Sequence, residues 1–249
     1  MNIVIAYLYY DLLDLYGESG NIKVLKHHLL NQGINPIIKL LTINDKLDFK
    51  KYDLVVISAG TEKNQMIALK HLIKYKNKIK KAINNNKFFL VTGNSIELFG
   101  RYIIDSNKKK HKALNIFNYS AKNASKRLVA DALFVDKFSN EYIIGFQNQC
   151  CLLDNIDYPM FEVIKGFGVH NDYSKEGIHY KNFYATYLIG PLLVRNPTFA
   201  LNFIKNLIKN LDENFIFKDF DFTLETQAYD SYFNLHYNKI PKIKSTINL

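Results

Sequence analysis

The segment Phe88–Gly100 reads FFLVTGNSIELFG: an apolar run, a Thr-Gly-Asn-Ser break, then a short amphipathic stretch closing on glycine. A turn between a buried strand and a helix exposes the side chain it carries, and the helix N-terminus behind it favours negative charge, as an attacking nucleophile requires. The hydroxyls beside that turn are those of Thr92 and Ser95, and the chain's thiols are the adjacent pair Cys150 and Cys151. A hydroxyl attacks only with a base in reach, and Ser95 is a natural residue for a helix's first turn, the role we assign it. Adjacent cysteines are poorly placed to bridge each other, and a buried cysteine serves more often as a small apolar filler than as a catalyst. The seven histidines (His27, His28, His71, His111, His170, His179, His236) lack metal-ligand spacing, so no metal site is expected; His170, in GFGVHND, is read as a loop residue. GESG at Gly17–Gly20 lacks the Lys-Ser/Thr of a phosphate loop, and no cofactor is expected.

The pattern around these residues is that of alternating strands and helices. Apolar, β-branched runs at 2–9, 35–43, 54–57, 88–91 and 183–188 read as buried strands. Helical spacing marks 22–31, stopped by Gly33, a long surface helix over 64–83, a helix opening at Ser95, and 197–211 with proline in its first turn. Residues 127–135 and 141–148 read as neighbouring strands joined by a short turn, and Lys108–Lys112 as an exposed loop. This rhythm predicts an α/β domain over 1–211 with a flavodoxin- or Rossmann-like, mostly parallel sheet, and a C-terminal extension over 212–249 carrying one helix-like patch. Ligands in such folds bind beyond the carboxyl ends of the strands, which selects the loops after Tyr9, Ile57, Val91 and Leu188.

Composition narrows the classes further. The formal charge of +10 comes from lysine, since arginine occurs only at 101, 127 and 195, and we read the excess as solvated surface rather than a nucleic-acid interface. No apolar run approaches the roughly 20 residues of a membrane span, and the N-terminus lacks a basic region and a cleavage site. A cytoplasmic protein without a membrane span is expected.

Six blocks occur in one order: LDLYGESGNI at 13–22, DLVVISAGTEKNQ at 53–65, LVTGNSIELFG at 90–100, KRLVADALF at 126–134, IIGFQNQ at 143–149 and YATYLIGPLLVRNP at 184–197. Together they resemble the class I glutamine amidotransferases of the cobyric-acid-synthase-like group, over about the first 210 residues. Within that group they resemble the glutaminase subunits of lipid II isoglutaminyl synthases, which pair with a Mur-ligase-like synthetase subunit to amidate peptidoglycan precursor. The resemblance implies a cysteine nucleophile in a C-G-G-x-Q-x-x-G turn, a histidine in a Y-L-H-G-P strand end, and an oxyanion held by backbone N–H groups after a Gly-rich strand end. On this sequence the nucleophile position falls on Gly93 and the histidine position on Ile189. The oxyanion segment falls on Ser58-Ala59-Gly60, and an arginine near the glutamine entrance falls on Arg127. Gly60, Asn94 and Arg127 are therefore the residues expected to meet a glutamine-like small molecule.

Glycine cannot attack and isoleucine cannot move a proton, so cysteine–histidine chemistry is not expected; losing such a nucleophile costs on the order of a million-fold in turnover. Two readings stand against each other. In one the chain is an inactive amidotransferase-like scaffold or regulatory subunit, a pseudoenzyme, for a Mur-ligase-like partner. In the other it is an enzyme that uses an unrecognised nucleophile in the same cleft. A third and weaker reading is a polyanion-binding module on the lysines of 70–81 and 108–112.

Overall fold

The computed structural model describes residues 1–136 and 138–241. Five strands form the parallel half of one sheet: β1 (Asn2–Leu8), β2 (Asn35–Leu41), β3 (Leu54–Ile57), β4 (Phe88–Thr92) and, later in the chain, β11 (Phe183–Thr186). Between them run β5 (Tyr102–Ile104), β6 (Lys110–Lys112), β7 (Ala121–Asp136), β8 (Glu141–Leu153), β9 (Pro159–Lys165) and β10 (Lys175–Tyr180). The strand order is β2-β1-β3-β4-β11-β10-β9-β7-β5-β6, with β8 paired antiparallel to β7. Along β2-β1-β3-β4-β11 every pair is parallel, along β11-β10-β9-β7 every pair is antiparallel, and β5 is again parallel to β7.

The central strands are apolar on both faces because helices cover both. Val55, Ile57, Phe89 and Val91 point to one side, where they pack with Leu69 and Leu72 of α2 (Glu62–Leu72) and Ile79 of α3 (Lys76–Asn84). Their neighbours Leu54, Val56, Phe88 and Leu90 point the other way. There they meet Leu25 and Leu29 of α1 (Gly20–Asn31) and Phe203 and Leu207 of α5 (Pro197–Leu211); the short α4 (Leu192–Arg195) precedes α5. This is an α/β fold built on a mostly parallel sheet that continues into antiparallel strands.

Three local expectations change. The helix foreseen over 64–83 is two, α2 and α3, because a 3-10 turn at Ile73–Tyr75 intervenes and Tyr75 leaves helical backbone angles (φ −108°, ψ 6°). The helix foreseen from Ser95 is a 3-10 segment, Gly93–Phe99. Its carbonyls are claimed from outside: Gln65 Nε2 donates to Asn94 O (2.6 Å), Tyr119 OH to Ile96 O (2.5 Å) and Leu114 N to Leu98 O (2.9 Å). The lysine run is not all loop, since Lys110–Lys112 pairs with β5.

The C-terminal segment lies against the same body. Phe215, Phe217, Phe220 and Phe222 pack on the α1/α5 face, where the Phe222 ring stacks on buried His28 at 3.8 Å. α6 (Thr223–Tyr237) sets Phe233 and Tyr237 on Leu133 and Ile144 of β7 and β8. His28 is therefore covered by the C-terminal segment.

Candidate functional site

A cleft of about 240 Å3 opens at the carboxyl ends of β3, β4 and β11, walled on its far side by β7 and β8. It is bordered by Ala59, Gly60 and Glu62 after β3, Gly93 and Asn94 after β4, Ile189 after β11, Arg127 and Cys150 from the wall, and Tyr16 from the loop after β1. The structure thus brings Gly60, Gly93, Asn94, Arg127 and Ile189, distant in sequence, to one place.

The turn after β4 has the strained geometry of a nucleophile mount and none of the space. Gly93 has φ +60°, a left-handed conformation that glycine adopts freely and other residues adopt at a cost. A Cβ on Gly93 would lie 2.4 Å from Ala59 Cβ, 3.2 Å from Ala59 Cα and 3.1 Å from Ile189 Cγ2. The side chains of Ala59 and Ile189 therefore fill the volume where a nucleophile's first carbon would start. Ile189 is fixed there by its N–H, which donates to Phe146 O of β8 at 3.0 Å.

One backbone donor opposite, Gly60 N–H, is also engaged. Gly60 N–H donates to Asn94 Oδ1 (3.1 Å), and Asn94 Nδ2 donates back to Gly60 O (2.9 Å). This reciprocal pair, made by the residue directly after the turn, leaves Gly60 N–H without capacity for an incoming oxyanion. Gly60 itself is sterically required, because a Cβ there would meet Leu13 Cδ2 at 2.4 Å and Leu12 O at 2.9 Å.

Nearby hydroxyls are bound into the structure rather than aimed at the cleft. Thr92 Oγ1 donates to Glu18 Oε2 (2.5 Å), and Ser95 Oγ donates to Ser58 O (2.6 Å); both residues are fully buried. Ser95 thus ties two strand ends together instead of capping a helix. The cysteines lie on β8: Cys150 Sγ faces the cleft 3.4 Å from Glu62 Oε1, while Cys151 is buried. Contact with Cys150 and burial hold the Cys151 thiol far above the ordinary thiol range. His170 is absent from the cleft and pairs with Asp172 in its own loop at 3.3 Å.

The polar rim is one connected set. Arg127 forms an ion pair with Glu62 and donates to Asn148 Oδ1 (3.1 Å), and Asn148 Nδ2 reaches Tyr16 OH (2.8 Å). Burial raises the Glu62 carboxyl, but its backbone N–H and Arg127 outweigh that and hold it below the usual carboxylate value. Glu62 is thus an anion already partnered, and a weak base.

Beneath the cleft lie three buried carboxyls that the sequence patterns did not single out. Glu18 accepts from Thr92 and from Gly190 N–H (2.7 Å), so one side chain ties the residue before Gly93 to the residue after Ile189. Glu97 accepts from Gln65 Nε2 (2.9 Å) and Tyr187 OH (3.1 Å), and Glu176 from Thr186 Oγ1 and Tyr187 N–H (both 2.7 Å). Loss of solvent raises each of them to about 7, against the hydrogen bonds that lower it. The usable signal for Glu18 was its place in GESG, a loop that must turn under the cleft. The signal for Glu97 was its place at the Gln position of the C-G-G-x-Q-x-x-G pattern. Glu176 had none, because a lone glutamate is ordinarily placed in solvent. Among the described residues no cluster of histidine, cysteine, aspartate or glutamate has the arrangement to hold a metal ion.

A parallel sheet with helices on both faces and a cleft at the carboxyl ends of its central strands defines an α/β protein with the ligand-site placement of doubly wound folds. The chain belongs to the CobB/CobQ-like glutamine amidotransferase domain family, whose model matches residues 4–197. It is similar to the GatD subunit of lipid II isoglutaminyl synthase (glutamine-hydrolysing) from Streptococcus pneumoniae, with 27% identity over 208 residues, 82% of this chain and 80% of that protein. The GatD subunit of the same synthase from Staphylococcus aureus is 27% identical over 218 residues, 88% of this chain and 89% of that protein. Among solved structures, a glutamine amidotransferase from Thermotoga maritima superposes with a TM-score of 0.48 at 11% identity, covering 92% of this chain and 89% of that one. No helix among the described residues is long and apolar enough to cross a membrane.

Proposed function

We propose that this chain is an amidotransferase-fold subunit whose glutamine-hydrolysing centre is closed, and that it acts as a scaffold or regulatory subunit for a Mur-ligase-like synthetase. The supporting observation is the packing at the turn. The residues read as nucleophile and base positions, Gly93 and Ile189, stand against Ala59 with no room for a Cβ on Gly93, and Asn94 occupies Gly60 N–H. Three independent requirements of acyl transfer, namely a nucleophile, a base and a free oxyanion donor, are lost together. The similarity to a named subunit of a synthase supports a role in assembly. Arg127, Gly60 and Asn94 remain at the mouth of the cleft, where a glutamine-like molecule would bind without being cleaved.

The test has two arms. Purified chain should release no ammonia from glutamine above a heat-inactivated control, and a Mur-ligase-like subunit from the same genome, co-expressed with it, should co-elute as a stable complex. Steady glutamine hydrolysis overturns the first half, and a ligase-like subunit that elutes alone overturns the second. A catalytic reading draws on one observation, the 3.4 Å contact between Cys150 Sγ and Glu62 Oε1 inside the cleft. It requires hydrolysis that disappears in Cys150→Ser.

A further inference from the structure

A second concavity, of about 870 Å3, opens at the opposite end of the sheet from the cleft. It lies between the 42–53 connection, which leads into β3, and α3, with Lys87 at its base where the chain enters β4. We propose that this groove is a binding site for a compact polyphosphate, free or carried as the phosphate tail of a nucleotide.

The lining is unusual in kind. Thirty lysines in 249 residues would place one or two among eleven lining positions. Six are there, with one carboxylate, Asp48. Lys46, Lys50 and Lys51 stand on one wall, and Lys78 and Lys81, three apart and so on one helix face, stand on the other. Lysines therefore border a half-open concavity from both sides, rather than standing on a single convex helix face.

Few of these charges are neutralised by the protein. Lys51 pairs with Asp48 at 3.8 Å and Lys87 with Asp53 at 3.5 Å. Among the described residues, Lys46, Lys50 and Lys81 have no anionic partner. Like charges held within a Debye length, about 8 Å at physiological salt, repel one another, and a polyanion bound between them removes that repulsion. Lysine supplies a compact point charge with rotatable donors, which suits phosphate oxygens in varied directions.

The floor selects against recognition of a base. Leu47 and Phe49 are buried, and the Phe49 ring faces inward onto Phe89, with centroids 6.3 Å apart. No aromatic face is left for a nucleobase to stack on, as single-stranded nucleic acid would require. The groove therefore reads charge and size, and the phosphate chain is the determinant.

The experiment is calorimetric titration of the full chain at 150 mM salt with sodium tripolyphosphate, ATP, adenosine and a short single-stranded oligonucleotide. It includes Lys50→Ala/Lys81→Ala and a control, Lys108→Ala/Lys109→Ala, whose lysines are equally exposed but lie outside the groove. The expected result is saturable 1:1 binding of tripolyphosphate, ATP within about three-fold of it, and none of adenosine, with affinity about ten-fold weaker in the groove variant and unchanged in the control. Absence of saturable binding overturns the proposal, as does equal loss in the two variants. Oligonucleotide binding that outcompetes tripolyphosphate and strengthens with length overturns it in favour of a nucleic-acid surface, and adenosine binding overturns it in favour of a base pocket.

Discussion

Replacing Gly93 with alanine measures how far the catalytic turn has been filled. Two costs act at once. The left-handed backbone at φ +60° disfavours any residue with a Cβ, by roughly 1–2 kcal/mol. The new carbon would meet Ala59 Cβ at 2.4 Å, far inside the 3.5–4.0 Å of a normal carbon contact, and overpacking of this kind costs about 1–3 kcal/mol. Gly93→Ala should therefore destabilise the protein by about 2–5 kcal/mol, which in a domain of this size lowers the melting temperature by roughly 5–20 °C. Ala59→Gly removes the nearest obstacle, so the two changes should couple favourably by about 1–3 kcal/mol in a double-mutant cycle read by urea unfolding. The residual cost in the pair is the backbone term together with the remaining close contacts, Ile189 Cγ2 at 3.1 Å and Ala59 Cα at 3.2 Å. The same geometry dictates what reactivation requires. Gly93→Cys with Ile189→His should stay inactive, and ammonia release from glutamine should need Ala59→Gly to seat the cysteine and Asn94→Gly to free Gly60 N–H. The reasoning is refuted if Gly93→Ala unfolds within about 0.5 kcal/mol of the parent, the usual range of a neutral surface change, or if the cycle shows no coupling.

Three further outcomes follow from other parts of the structure. Glu18, Glu97 and Glu176 carry folded-state values near 7, above the ordinary 4.5, so the native chain holds protons that the unfolded chain has released. Their contribution is complete below about 4.5 and is lost as the pH rises through about 7, on the order of 3 kcal/mol for each group. Urea midpoints measured from pH 5 to 8 should fall less steeply in Glu176→Gln than in the parent, and parallel profiles would contradict the burial argument. Phe222→Ala removes the ring stacked on buried His28 and should cost about 3 kcal/mol, whereas a peripheral appendage would show a change below about 0.5. Arg127→Ala breaks a half-exposed ion pair with Glu62, so stability should change by less than about 1 kcal/mol while glutamine binding, followed by calorimetry, is lost.

Much of the architecture was legible because its physical signals are local. Runs such as LVVI and FFLV are apolar at every position, and only a strand covered on both faces tolerates that, so the parallel centre of the sheet could be read directly. The antiparallel pair β7 and β8 was visible through its short polar turn, although its full length was not. The break between α2 and α3 was not legible, since the lysine-rich face runs through Ile73–Tyr75 without interruption and only the packing of Tyr75 ends the first helix there. Nor was the 3-10 form of Gly93–Phe99, which is set by donors as remote as Tyr119 and Gln65.

The site divides in the same way. By itself the sequence determined which side chains exist: a glycine where the family pattern implies a nucleophile, an isoleucine where it implies a base, and a retained arginine at position 127. The identity of a residue suffices to say that it cannot attack or carry a proton. Only the tertiary structure decided that the vacancy is filled, because the atoms that fill it belong to Ala59 and Ile189, which lie 34 positions before and 96 positions after Gly93 in the chain. The same holds for Asn94 against Gly60, for Glu18 between Thr92 and Gly190, and for the lysines facing one another across the second groove. Steric exclusion and donor occupancy are relations between distant residues, and they exist only once the strands that carry those residues lie side by side.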